Sequence, residues 1–311
     1  MLAVHADWSM DPRKRWMSVA RPHGEGWRID APTPVGDLSN WTVRLLATAN
    51  GGAVALGVDL PLGLPRAYAS QHTREPDFPA FLRALRHNPD FFRVCATLDE
   101  LTPTRPFYPA RGVAGMTRAS HAEALNLGSP SGLSRHCDRA TAHRPAGAPL
   151  FWTLGANQTG KAALTAWRDW LLPDLTVETP LCLWPFEGTL HNLLAPGTVT
   201  VAETYPAEVM RSLGLKMSGS KRRQSDRVAL ANALEGAMAK LHAHPTEALK
   251  LALTEGFGPD AAGEDRFDSL IGVLGVLAVL TGQQPDFLPD DPWITRWEGW
   301  VLGQTALPLI G

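Results

Sequence analysis

The order of apolar segments at the start of the chain limits the fold most strongly. Residues 2–6 predict a short buried strand, and residues 15–20 and 27–31 predict two antiparallel strands around a turn at 23–26. Residues 41–49 predict a helix, because their apolar side chains recur at helical spacing, and residues 53–58 form the continuous apolar run of a strand covered on both faces. This β-β-β-α-β order indicates an α/β fold with a mixed sheet flanked by helices.

The regular pattern is interrupted at about residues 66–175, where prolines, histidines and arginines are frequent. We interpret this stretch as a long helical and irregular insertion within a single domain that covers residues 1–311. Beyond it the pattern predicts two strands, at 181–186 and 198–202, and four helices, at 206–213, 226–242, 249–257 and 267–280.

Composition excludes several classes of protein. The net charge of −2 gives no overall basic field, so any contact with nucleic acid must come from local patches. Three scattered cysteines argue against a disulfide framework and against structural zinc, and with no signal pattern at the start of the chain they favour the cytoplasm. The most apolar run, residues 270–280, is shorter than the roughly 20 residues that span a bilayer, so we expect no membrane insertion.

Four carboxylates lie at the ends of apolar segments that are far apart in the chain: Asp7, Asp59, Glu203 and Asp268. A carboxylate at the end of a buried strand or helix is costly to desolvate unless a positive group meets it. If the four converge, a divalent cation such as Mg²⁺ or Mn²⁺ is their natural partner, because hard cations take oxygen ligands. The sequence therefore predicts a metal centre with these residues as ligands and catalytic groups.

Each carboxylate also has a structural interpretation. Asp7 could satisfy its own turn, Asp59 could cap the loop after its strand, and Glu203 could favour the start of the next helix. Two lesser candidates accompany the four: Asp265, which we interpret as the N-terminal cap of the helix that carries Asp268, and Glu187, which we interpret as a turn residue.

Cations that could contact a phosphate fall in two regions. Residues 216–227 place small residues between cations just before a helix, which suits phosphate contacts from Lys216, Lys221 and Arg222. Within the insertion, Arg135 and Lys161 belong to a polar set that also includes Asp138, Arg139 and residues 157–160. These groups either recognise substrate or, in the alternative, form a solvated loop and pair with one another.

Together these segments resemble the domain of unknown function 429 family, whose members are predicted nucleases with an RNase H-like fold. The resemblance rests on Asp7 after the first strand and on residues 57–65, 203–206 and 265–271, and it spans most of the chain. It implies three antiparallel strands followed by parallel ones, with helices on both faces. It also implies that Asp7, Asp59, Glu203 and Asp268 bind two divalent ions for phosphodiester cleavage, while Lys221 and Arg222 steady the phosphate.

Two other functional classes stay open at this point. An actin-like or sugar-kinase-like phosphotransferase or ATPase also begins with a strand that ends in aspartate, but it needs a glycine-rich phosphate loop, and residues 8–10 contain no glycine. A non-catalytic binding module could use the same carboxylates for a structural ion. We expect nucleic acid or another phosphate ester as the partner, and the sequence leaves the substrate and the oligomeric state open.

Overall fold

The computed structural model describes residues 1–112, 114–154, 159–177 and 179–309. Within these ranges the strands form one eight-stranded mixed sheet. Its strands are β1 (Leu2–Asp7), β2 (Trp16–His23), β3 (Gly26–Ile29), β4 (Thr33–Pro34), β5 (Val54–Val58), β6 (Leu181–Leu183), β7 (Val199–Glu203) and β8 (Ala243–Pro245). Their order is β6-β7-β5-β1-β2-β3-β8, with β4 paired to β2. Strands β1 to β3 are antiparallel neighbours, whereas β5, β6 and β7 continue from β1 in parallel, and β8 runs parallel to β3.

Helices lie between and beyond these strands. They are α1 (Trp41–Thr48), α2 (Arg66–His72), α3 (Phe78–Ala84), α4 (Arg118–Ala124), α5 (Thr159–Ala166), α6 (Leu172–Thr176), α7 (Leu190–Leu193), α8 (Pro206–Ser212), α9 (Gln224–Val228), α10 (Ala231–Lys240), α11 (Glu247–Thr254) and α12 (Gly263–Leu280). A π-helical turn at Trp167–Leu171 joins α5 to α6, so that residues 159–176 are helical throughout. No helix in the described ranges has the length and hydrophobicity needed to cross a membrane.

The predicted opening of the chain is confirmed, as is the α/β class with a mixed sheet. Three details differ. The helix predicted at 226–242 is two helices, α9 and α10, and the short strand β8 was not predicted. Helix α12 begins at Gly263, a turn earlier than predicted, so Asp265 lies in its first turn and Ala262 occupies the cap position.

The two faces of the sheet bury different side chains. One face carries the larger residues Val4, Leu56 and Val58, which share a core with Trp41 of α1 and with the aromatic residues of the insertion. The other face carries the small residues Ala3, Ala55 and Ala202, which share a core with α12. Because side chains alternate along a strand, this division follows directly from the alternating sizes in β1 and β5.

Small residues let α12 approach the sheet closely. The His5 ring lies between Gly57 of β5 and Gly272 of α12, and a Cβ atom on Gly272 would clash with it. Both ring nitrogens of His5 lack a hydrogen-bond partner, and burial lowers the pKa of His5 to about 3. A second contact joins Ser18 of β2 to Ser269 of α12 through a hydroxyl hydrogen bond of 2.9 Å. The position of α12 over the ends of β1 and β5 is therefore fixed by packing.

The insertion packs against the same core as the sheet. Its buried residues, which include Tyr68, Phe81 and Leu133, belong to one apolar cluster with β1 and β5. The Nε1 atom of Trp8, which follows β1, donates to Thr165 of α5 at 3.1 Å, and the Trp8 ring stacks on Trp170. These contacts hold the end of α5 and the π-helical turn that follows it against the residue after β1.

Candidate active site

Two carboxylates lie side by side where the parallel strands β1 and β5 end. Ala6 pairs with Val58 in the register of these strands, so the next residues, Asp7 and Asp59, are neighbours. Their side chains are within hydrogen-bonding reach of each other, and the backbone N–H of Trp8 donates to Asp59 Oδ1 at 2.7 Å. The carboxyl ends of parallel strands are where open α/β sheets bind ligands.

Asp268 of α12 adds a third carboxylate to this pair. It is only 6% exposed, its negative charge reaches both Asp7 and Asp59, and its Oδ2 atom accepts a hydrogen bond from Lys221 Nζ. Its other oxygen, Oδ1, is buried without a hydrogen-bond partner. We name Asp7, Asp59 and Asp268 together the carboxylate triad.

The triad carries raised pKa values. Burial is the main cause for Asp7, and the charges of Asp59, Asp268 and Asp265 raise its pKa further. Burial likewise raises the pKa of Asp59 to about 8, although the Trp8 N–H opposes the rise, and burial raises the pKa of Asp265 to about 6. Since each of these carboxyl groups ordinarily ionises near pH 4, the site holds protons at neutral pH when no cation is bound.

Lys221 is the cation in direct contact with the triad. Burial disfavours its charged form, but Asp268 and Glu264 outweigh that effect and raise the pKa of Lys221 overall. The distance from Lys221 Nζ to Glu264 Oε1 is 3.5 Å. The Lys221 carbonyl accepts a hydrogen bond from Arg227, which is 1% exposed and also donates to the carbonyls of Gly256 and Gly258. Arg227 therefore fixes the loop that carries Lys221.

The triad opens into a cavity of about 660 Å³. Asp59, Asp268 and Lys221 line it directly, while Asp7 is only 7% exposed. The remaining charged side chains of its wall come from four separate segments: Asp11 and Lys14 after β1, Asp138 and Arg144 in the insertion, Lys161 of α5, and Glu208 and Arg211 of α8. A small anionic ligand would meet cations on several sides of this cavity.

Glu203, predicted as a fourth ligand, lies outside the triad. In the register of β5 and β7, Glu203 is opposite Val58, which comes one residue before Asp59. Because successive side chains of a strand point to opposite faces, Glu203 lies on the face of the sheet opposite to that of Asp59. Its carboxylate is fully buried and accepts two hydrogen bonds from Arg135, of 2.6 and 2.7 Å, and one from the Leu62 N–H of 2.8 Å. This geometry gives Glu203 a structural ion pair in place of the expected metal contact.

Arg135, predicted to contact substrate, is the partner that holds Glu203. It is fully buried, its Nε and Nη2 atoms donate to Asp138 at 3.0 and 2.9 Å, and its Nη1 atom also donates to the Leu62 carbonyl at 3.0 Å. The guanidinium is thus occupied on all sides by the protein itself. It touches two residues of the cavity wall, Asp138 and Tyr205, and donates to the Tyr205 hydroxyl at 3.3 Å.

Cys137, Asp138 and Glu203 are the one group of three potential ligands in the described ranges whose donor atoms all lie within 4.8 Å of one another. The triad is less tightly grouped than this. However, the guanidinium of Arg135 already bonds both carboxylates of the tighter group, and a metal ion there would have to displace or face that fixed positive charge. The triad has one lysine for three carboxylates among the described residues, and burial raises the pKa of all three, so their ionised form lacks a compensating cation.

The other predicted site residues divide by exposure. Lys161 lines the cavity, and Asp265 lies close enough to raise the pKa of Asp7. Arg222 is exposed at the loop surface with its Nε atom 3.6 Å from Glu264, and Lys216 is exposed and not part of the cavity wall. Glu187 accepts a hydrogen bond from the Leu183 N–H at 2.6 Å, as the turn interpretation predicted. Asn157 and Gln158 lie outside the described residues.

Sequence reasoning missed three cations of the cavity wall: Lys14, Arg144 and Arg211. The position of Lys14 could have been predicted, since only a short turn separates it from the strand that ends at Asp7. Those of Arg144 and Arg211 could not, because their place in the wall depends on how the insertion folds back over α8. Arg144 is held there by the Gln304 side chain at 3.2 Å and by Glu208 at 3.6 Å.

Comparison of the chain with protein-family models and with curated proteins, and of its fold with solved structures, gives no match.

Proposed function

We propose that the protein is a metal-dependent phosphodiesterase, nuclease-like in its chemistry, on an RNase H-like fold. The observation that carries the proposal is the carboxylate triad itself. Three carboxylates from two parallel strands and a helix meet beside one lysine at the wall of an accessible cavity, with their pKa values raised. Such a concentration of negative charge is costly in the free protein and becomes favourable once a divalent cation is bound.

The residues present fit Mg²⁺ or Mn²⁺. Asp7, Asp59 and Asp268 supply only oxygen donors, which these ions prefer, and the buried Oδ1 of Asp268 lacks any other partner. Two ions about 4 Å apart would also bind carboxylates that are too far from one another to share a single ion. Bound there, the ions would lower the pKa of a coordinated water and neutralise the oxygen that leaves the phosphorus atom.

The protein groups have separable tasks in this reaction. Asp59 would release its proton on binding of a cation, because the positive charge favours the ionised carboxylate and offsets the effect of burial on its pKa. Lys221, which bonds Asp268 in the free protein, is the donor nearest the triad for a phosphate oxygen of the substrate. Arg227 keeps Lys221 in place through the Lys221 carbonyl.

The strand arrangement supports the choice of fold. Antiparallel β1, β2 and β3 followed by parallel β5 and β7, with α12 across the strand ends, match the arrangement that the family resemblance implies. The phosphotransferase or ATPase alternative is less well supported. The turn after Asp7 holds Asp11, whose carboxylate bonds Arg13, where that class needs glycines around a phosphate. Thermal stabilisation by Mg²⁺-ATP would favour that alternative.

Calorimetric titration of Mn²⁺ tests the proposal without assuming a substrate. We expect the wild type to bind Mn²⁺ and both Asp7→Asn and Asp59→Asn to lose binding while keeping their fold by circular dichroism. Asp90→Asn, an exposed side chain outside the cavity wall, is the matched control and should bind as the wild type does. Equal Mn²⁺ binding by all four proteins would contradict a metal site at the triad.

Turnover is the second test. The wild type with Mn²⁺ should hydrolyse bis(4-nitrophenyl) phosphate, and the two triad variants should not. Metal binding at the triad without turnover of any phosphodiester would instead favour a binding module that holds a structural ion.

A further inference from the structure

The cavity wall carries two lysines that no ion pair explains. Lys221, Arg144 and Arg211 each pair with a carboxylate, whereas Lys14 and Lys161 form no ion pair with a residue of the described ranges. Lys14 is exposed and Lys161 is half-buried. Because neither lysine bonds a carboxylate of the described ranges, both are available to an anionic ligand in the cavity.

These two lysines reach the triad from different sides. Lys14 belongs to the connection between β1 and β2, and its charge opposes the rise in the pKa of Asp265, so it lies on the α12 side of the site. Lys161 lies in the first turn of α5. The hydrogen bond from Trp8 to Thr165 of the same helix holds α5 against the end of β1. A ligand phosphate at Lys221 and a further phosphate at Lys14 or Lys161 would belong to one linear chain.

The far wall of the cavity limits the thickness of that chain. Residues 144–148, 159, 161 and 162 of the insertion form this wall, and Arg144 is held there by the Cys137 carbonyl, Gln304 and Glu208. A volume of about 660 Å³ lies within the range of roughly 300–1,000 Å³ that suits a small ligand. A duplex instead requires an open surface, since specific duplex contacts bury on the order of 1,000 Å² or more of protein.

We infer that the substrate is a single-stranded phosphodiester chain, of which the cavity holds one or two nucleotides, and that Lys14 and Lys161 bind the phosphates on either side of the cleaved one. This inference rests on the proposed function for the site of cleavage. It adds that the substrate is single-stranded and that the two lysines bind its phosphates. The net charge of −2 agrees with it, because a long duplex contact would need a broad basic surface.

Fluorescence anisotropy with Ca²⁺ in the buffer tests the inference as binding, separately from cleavage. The probes are a fluorescein-labelled hexathymidylate and a labelled hairpin with a blunt duplex stem. We expect the hexathymidylate to bind at least tenfold more tightly than the hairpin. The double variant Lys14→Ala, Lys161→Ala should bind it about tenfold more weakly, with the salt slope reduced by roughly 0.7 for each lost phosphate contact.

The control is Lys240→Ala with Lys250→Ala, two lysines on α10 and α11 outside the cavity wall, which should bind the hexathymidylate as the wild type does. Hairpin binding as tight as that of the single strand would overturn the inference, as would an unchanged salt slope in the Lys14 and Lys161 variant. Failure of the proposed function has a different readout, which is calorimetric Mn²⁺ binding that Asp7→Asn leaves unchanged. The two failures are therefore distinguishable.

Discussion

Gly272→Ala tests whether packing of α12 positions the triad. A Cβ atom at residue 272 would meet the His5 ring at well under normal contact distance. The ring has little room to retreat, because His5 is fully buried and Gly57 of β5 lies on its other side. The new methyl group must therefore push α12 away from the sheet. Asp268 lies one turn before residue 272 on the same helix, so it moves away from Asp7 and Asp59.

The size of the effect follows from two opposing contributions. Forcing an extra carbon into a packed core costs about 1–3 kcal/mol. Alanine in place of glycine inside a helix stabilises by about 1 kcal/mol, since it restricts the unfolded chain. The free energy of unfolding of Gly272→Ala should accordingly fall by up to about 2 kcal/mol. Mn²⁺ binding should weaken as well, because one ligand is displaced.

Urea denaturation of Gly272→Ala beside Gly236→Ala separates these contributions. A Cβ at Gly236 in α10 meets nothing within 4 Å, so this variant keeps the helix gain without the clash and should be stabilised by about 0.5–1 kcal/mol. The two substitutions should thus change stability in opposite directions. If Gly272→Ala is as stable as the wild type and binds Mn²⁺ equally well, the close contact of α12 with His5 does not position Asp268.

Three further results are expected. Because the native state holds the Asp59 proton up to about pH 8 while the unfolded chain releases it near pH 4, wild-type stability should fall as pH rises between these values, by about 1.4 kcal/mol per pH unit from Asp59 and further from Asp7, whose pKa is also raised. Urea midpoints at pH 5.5 and 7.5 should show this slope, and Asp59→Asn should reduce it. Mn²⁺ affinity should increase over the same pH range with release of a proton, which titration in buffers of different ionisation enthalpy measures. Arg135→Met should lower the free energy of unfolding by about 3–5 kcal/mol, because it leaves Glu203 and Asp138 buried and unpaired; stronger Mn²⁺ binding by this variant would place the metal at those residues instead.

The sequence predicted the pair of aspartates because their positions depend on local features. Asp7 and Asp59 each end a short apolar run, and parallel strands that are adjacent bring their ends together. Asp268 could also be predicted, since a carboxylate near the start of a fully apolar helix lacks a structural explanation. These inferences needed only the ends of the elements and their type.

Glu203 and Arg135 could not be assigned in this way, because their roles depend on register and on a distant partner. Glu203 ends an apolar strand just as Asp59 does, yet the register pairs it with Val58 and turns it away from the triad. Its partner Arg135 comes from the insertion, where the pattern gives no regular elements from which to place a side chain. A one-residue offset between parallel strands has no signature in a single sequence.

The contrast between these two buried centres is the strongest argument that the triad binds a ligand. Near the same end of the sheet, Glu203 and Asp138 share one guanidinium whose donors are all occupied. This fold can therefore pair buried carboxylates with a cation where the carboxylates have a structural role alone. At the triad it does not: one lysine bonds one of the three carboxylates, and Asp268 Oδ1 is buried without a hydrogen-bond partner. A structural role would be better served by the first arrangement, because a buried carboxylate oxygen without a partner only destabilises the fold. The second arrangement becomes favourable once a cation from solution completes it, and the open cavity gives that cation and a phosphate chain access to the triad.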